Sequence, residues 1–186
     1  SGSYSEIVAL YGSSGVSGFG DESITITGDS LSVEEANAID LLTTGTVTAE
    51  IASSSVDTLK TLTGTNAYTI TIAAADATGS TASELTTISN ATTVAIDASA
   101  VTGLASDTAA NIKTLLTAGN DTAQFTGASF GSLATAVVSD TTLSGSDLAG
   151  AIDQANTATG GTGTVFTISA AVSYTHLRAH ETEADI

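Results

Sequence analysis

Short runs rich in β-branched residues alternate along this chain with short amphipathic stretches, and that alternation constrains the fold more than any other feature. The strand-like runs are residues 23–29 (SITITGD), 46–51 (TVTAEI), 68–76 (YTITIAAAD), 92–97 (TTVAID), 123–127 (AQFTG), 135–140 (TAVVSD) and 164–169 (TVFTIS). Most of them alternate apolar and polar residues, as half-buried strands do. Between them lie stretches with helix start signals. Ser3 precedes Glu6 by three, and Ser32 precedes Glu35 by three, both capping-box patterns. The first leads into Ile7, Val8, Leu10 and Tyr11, the second into Ala36, Ile39 and Leu42. Further helical stripes carry Val56, Leu59 and Leu62; Leu85 and Ile88; Ile112, Leu115 and Leu116 after Ser106; and Leu148 with Ile152. Gly45, Gly64 and Gly119 read as stops.

The anchors Ile39, Leu59, Leu85 and Ile112 are spaced by 20, 26 and 27 residues. Helices this short do not hold together alone in water and must pack on their neighbours. One strand and one helix per period of that length predicts an α/β repeat solenoid, leucine-rich-repeat-like or β-helix-like, with parallel strands, over residues 1–171 as one domain. Around residues 123–145 the pattern fits one coil or two. An open doubly wound sheet is the structural alternative, but its crossover helices are ordinarily longer.

Composition narrows the function classes. Hydrophobic residues make up 41% of the 186, yet aromatics only 4%, so the core has to be built from many small aliphatic contacts. The formal net charge of −17, with three basic residues, leaves almost nothing to neutralise phosphates, which argues against nucleic acid and against anionic membrane surfaces. No apolar run is long enough for a membrane helix. The absence of Cys rules out disulfides and thiolate chemistry. With no Met at any position, the chain reads as an internal fragment of a longer protein.

Residues 3–64 carry a resemblance. YGSSGVSGFG (residues 11–20) and DLLTTGTV (40–47) are similar to phrases in the repeats of very large, Thr-rich surface or secreted proteins of marine picocyanobacteria and related bacteria. The resemblance implies an extracellular or cell-surface setting and a spacer, coat or adhesive role. Many such proteins also carry calcium-binding nonapeptides of the form GGxGxDxUx. Residues 159–167 (TGGTGTVFT) lack the Asp, so calcium does not carry over with the resemblance.

The tail departs from the rest of the chain. His176, His180 and Arg178 are the only residues of their kinds, and the two histidines are four apart with Glu181 next, a spacing that suits zinc on a helix face. Yet VSYTHLRAHET, residues 172–182, resembles the translation of a sequencing-library adapter without a mismatch. Residues 172–186 are therefore expected to be an adapter-derived tail, and the histidine pair to be no metal site.

Without the tail the chain has two Lys and no His or Arg, which removes most nucleophile–base pairs and most phosphate clamps; no enzyme is expected. Glu34 and Glu35 sit where acidic residues favour a helix N-terminus. The Gly-rich stretches YGSSGVSGFG and TATGGTGT match neither a Walker nor a dinucleotide fingerprint and read as turns. Lys60 and Lys113 fall on predicted helices as solvated positions, and the sequons at Asn90 and Asn120 are ordinary in a Thr-rich chain.

Asp29, Asp76, Asp97 and Asp140 each end a strand-like run. Each either caps its own turn through backbone N–H groups or joins a stacked carboxylate ladder that takes calcium. They are the calcium candidates; no other cofactor is expected. Two function classes follow. One is a structural repeat segment of a large surface protein, whose partners are neighbouring repeats of its own parent chain and which self-associates end to end. The other is a calcium-dependent or glycan- or surface-binding adhesin module. A flat, regular Thr array would favour binding; irregular strands favour the structural role.

Overall fold

The computed structural model describes residues 1–169. The adapter-like tail with His176 and His180 lies outside the described residues. Six helices start where short polar side chains satisfy first-turn amides. Capping boxes open α1 (Tyr4–Tyr11) with Ser3 and Glu6, α2 (Val33–Asp40) with Ser32 and Glu35, and α4 (Ala82–Asn90) with Thr81 and Glu84. Single hydroxyl caps open α3 (Val56–Leu59) at Ser55, α5 (Ala109–Gly119) at Thr108 and α6 (Gly145–Ala158) at Ser144. Each such cap contributes about 1 kcal/mol.

The strands form two parallel sheets. β1 (Ile24–Thr25), β2 (Val47–Glu50) and β3 (Ala67–Thr69) pair in chain order, as do β4 (Gly103–Asp107), β5 (Thr135–Val138) and β6 (Val165–Ile168). Single parallel bridges extend the pairing: Gly2 to Ile26, Leu31 to Ile51, Asn66 to Thr92, Thr71 to Asp97 and Ile96 to Phe125. Partners are separated by 24 residues (Gly2 to Ile26), 23 (Ile24 to Val47), 19 (Ala49 to Tyr68), 26 (Asn66 to Thr92), 29 (Ile96 to Phe125), 32 (Gly103 to Thr135) and 30 (Thr135 to Val165). The chain is thus α/β and parallel, and within each sheet every strand pairs with the next in sequence.

A single apolar cluster runs from Ile7 to Ala155. The four anchors Ile39, Leu59, Leu85 and Ile112 are each at most 1% exposed. Of the strand–helix boundaries, several move. The run 92–97 forms bridges at its ends and at Ile96 rather than a strand, and 123–127 makes one bridge at Phe125, so residues 123–145 contribute one strand, β5. Ser106 does not cap a helix: it lies within β4, a strand the alternation did not mark because GLASD has no β-branched residue, and Thr108 caps α5 instead. Asp76 ends a 3₁₀ turn (Ala74–Asp76) rather than a strand.

α5 ends at Gly119, the position read as its stop, and close approach requires a glycine there. A Cβ there would sit 2.5 Å from the ring of Phe130. Phe130 itself adopts φ 58°, its ring tilted against that of Phe125 with centroids 5.1 Å apart, so a fully buried aromatic pair holds a backbone conformation that costs about 1–3 kcal/mol.

Candidate functional site

The four strand-end aspartates do not share one environment. Asp29 is exposed, and Asp76 offers its backbone carbonyl, not its carboxylate, to the Ser80 hydroxyl at 3.1 Å. The Asp97 carboxylate accepts the Ser99 amide at 2.9 Å, closing its own turn, and those Ser99 hydrogen bonds hold its carboxyl below the usual range. The Asp140 carboxylate accepts the Ala109 amide at 2.7 Å, the first residue of α5, which lies 31 positions earlier. Among the described residues no three His, Asp or Glu side chains converge as metal ligands would.

Sequence reasoning missed the most engaged carboxylate. Asp107, at the end of β4, is 8% exposed. Its Oδ2 accepts the Ser83 amide in the first turn of α4 at 2.7 Å. Its Oδ1 accepts the Thr108 amide at 2.8 Å and the Asn111 side-chain amide at 2.7 Å. Burial pushes this carboxyl up, but the hydrogen bonds from Asn111, Ser83 and Thr108 outweigh it and hold it below the usual aspartate value. Asp107 and Asp140 have the same job, since each completes the N-terminus of the helix before its own strand. The signal was present as a repeated Ser-Asp-Thr, at residues 106–108 and 139–141.

A second set of buried polar groups also ties segments distant in sequence. Asn66, 3% exposed, accepts the Val47 amide on Oδ1 at 2.8 Å and donates through Nδ2 to Asp40 Oδ1 at 2.7 Å. It also lies 3.2 Å from the Tyr68 hydroxyl, which donates to the Ala36 carbonyl at 3.4 Å. Burial, with the Asp40 charge adding to it and the Asn66 hydrogen bond opposing, pushes the Tyr68 phenol up to about 12. Thr92 and Ser129 take corresponding parts. The Thr92 hydroxyl accepts the Tyr68 amide and donates to the Tyr68 carbonyl; the Ser129 hydroxyl accepts the Ala98 amide and donates to the Ile96 carbonyl. Among the described residues no buried side-chain nitrogen or oxygen lacks a partner.

Both lysines tie one helix to the next rather than standing solvated alone. Lys60 Nζ lies 2.8 Å from Glu84 and 2.6 Å from Asp57, and Lys113 Nζ lies 3.5 Å from Asp147. Hydrogen bonds donated to Asp57 and Glu84 raise the Lys60 ammonium, and the Lys60 contact lowers the Glu84 carboxyl. Beside Lys113, an open groove of about 620 Å³ is lined by Thr86, Asn90, Thr117, Asp121 and Gln124. Its chemistry is that of a solvated surface: Asp121 already accepts the Ala123 amide at 2.9 Å, and Thr117 donates to the Lys113 carbonyl.

On the outer face of the first sheet Thr25 pairs with Thr48, but Ala67 follows Thr48, and Glu50 stands beside Thr69, so the threonine rows are broken. No helix among the described residues is long and apolar enough to cross a membrane. Comparison with protein-family models, with curated proteins and with solved structures finds no match.

Proposed function

We propose that this chain is a non-catalytic structural segment of a large extracellular surface protein, a spacer, coat or stalk element built as a solenoid of strand–helix coils. The observation that carries the reading is the direction of its polar side-chain ties. Asp107, Asp140, Asn66, Thr92, Ser129, Lys60 and Lys113 each reach a segment 19–34 residues away, the distance of one coil. The chemistry-bearing residues thus hold neighbouring coils together instead of meeting at a shared cleft. The broken threonine rows and the strands of two to five residues point the same way. The resemblance of residues 3–64 to repeats of Thr-rich surface proteins supplies the extracellular setting. Its partners are then neighbouring coils of the parent chain, with end-to-end self-association at high concentration. Apart from Leu41, the exposed large apolar side chains are Val8, Leu10, Val16 and Phe19 in the first twenty residues and Ile152 and Val165 in the last described coil.

Thermal unfolding in millimolar calcium and then in chelator tests the role. The structural reading expects the same midpoint in both. A large rise with calcium would instead make the chain a calcium-dependent adhesin module, by linkage. The architecture has its own test: deletion of residues 1–30 should leave a cooperatively folding, less stable remainder, as stacked coils allow. Complete unfolding on that deletion would refute stacking.

A further inference from the structure

We infer that Asp107 is an acid-sensitive latch between β4 and the start of α4, closed while its carboxylate is ionised and opened by a proton. This goes beyond the structural role and stands on the hydrogen-bond geometry alone. Three groups point at the two carboxylate oxygens, the Ser83 and Thr108 amides and the Asn111 side-chain amide, all at 2.7–2.8 Å. All three are donors. An ionised carboxylate accepts them all, whereas a protonated carboxyl accepts them more weakly and adds an O–H that neither backbone amide can accept. At 8% exposure there is little water to take the displaced groups.

Among the described residues no cation is paired with this carboxylate. The ion pairs among the described residues are Lys60–Asp57, Lys60–Glu84 and Lys113–Asp147. The charged groups on the elements packed against Asp107 are Glu84 on α4, already bound to Lys60; Lys113 on α5, paired with Asp147; and Asp140 beyond β5, bound to the Ala109 amide. Hydrogen bonds from neutral donors therefore stabilise the charge. With its pKa depressed in the folded state, Asp107 contributes its stability above the ordinary aspartate value of about 3.9 and loses it as pH falls through the lower folded value. The group released is distant in sequence, because the Ser83 amide lies 24 residues before Asp107.

The test is an amide-resolved NMR titration of the intact chain from pH 7 downward. The Ser83 and Thr108 amides and the Asn111 side-chain amide should move together with one midpoint below about 3.9. At pH 7, Asp107→Asn should speed exchange of the Ser83 amide by about tenfold or more, the scale of a lost charged hydrogen bond. It should leave Ala109, held by Asp140, unchanged. Asp153→Asn removes the same charge at an exposed position and should leave Ser83 protected. If Asp107→Asn does not fold, the titration of the natural chain decides. A Ser83 amide that stays flat through the titration, or equal acceleration by Asp153→Asn, would overturn the latch; the second result would make the effect one of net charge.

Discussion

Replacing Asn66 with Ala removes both ends of a buried connection at once. The Val47 amide, in a residue with no exposure, loses its acceptor, and Asp40 loses a donor at 2.7 Å. An unsatisfied buried N–H costs about 1–3 kcal/mol and a hydrogen bond to a charged group contributes about 1.5–3 kcal/mol. Asp40 retains the Thr63 hydroxyl at 3.1 Å, which recovers part of the second term. The expected loss is about 3–4 kcal/mol, large against a typical total of about 5–15 kcal/mol. For a chain of this size that lowers the thermal midpoint by about 6–16 °C. Asn66→Asp provides the sharper assay. It keeps an acceptor for Val47 but sets a carboxylate against Asp40, and two carboxylates that close do not both ionise. The pair then binds a proton more tightly folded than unfolded, so the penalty is absent below the ordinary aspartate value and grows as pH rises through the pair's raised value. Urea unfolding at pH 4 and pH 7 should show Asn66→Asp close to the natural chain at the lower pH and several kcal/mol less stable at the higher. A cost for Asn66→Ala below about 1 kcal/mol, or a penalty for Asn66→Asp independent of pH, would refute the claim that this side chain stitches the sheet.

Gly45→Ala should cost about 1–3 kcal/mol or more in urea unfolding, because a Cβ there would lie 2.4 Å from the Glu22 backbone, which cannot swing aside; Gly127→Ala, with nothing within 4 Å, is the control and should be near neutral. Lys60→Ala should give a small loss of thermal stability that disappears in molar salt, since the ammonium is partly exposed and its bond to Glu84 is screened. Leu41→Ser should leave stability within about 0.5 kcal/mol, as the side chain is 86% exposed and touches no core, and a larger loss would mean the α2 terminus is packed in solution.

The helices were legible because their causes are local. A hydroxyl followed three residues later by Glu states both halves of a cap within four positions, and Ser3 and Ser32 cap the helices where the alternation placed them. The apolar anchors were legible for the same reason. β4 was not, because Gly103, Ala105, Ser106 and Asp107 have no strand preference; parallel pairing with β5 imposes the conformation. Of the four strand-end aspartates, Asp97 and Asp140 use their carboxylates on backbone amides. Turn capping was expected within each turn, and Asp97 does this, but Asp140 and the unmarked Asp107 cap helices 31 and 24 residues earlier. No window of local sequence contains both partners of such a bond.

That reach bears on how the segments depend on one another. The first turns of α4 and α5 are completed only by strands that come later in the chain, β4 and the end of β5. Each of these helices therefore gains its last cap when the following segment is in place, which couples neighbours without any shared cleft. α6 starts with Ser144 as its hydroxyl cap. The sequence holds no acidic residue from 154 to 180, so no aspartate there can complete α6 as Asp107 and Asp140 complete the helices before it. In the proposed solenoid, where stability is a sum of intrinsic and nearest-neighbour terms, the helix start without such a distant tie opens first. Amide exchange should accordingly rank the first turn of α6 as less protected than those of α4 and α5. Equal protection in all three would show that the hydroxyl caps alone hold the helix starts and that the distant aspartates add little.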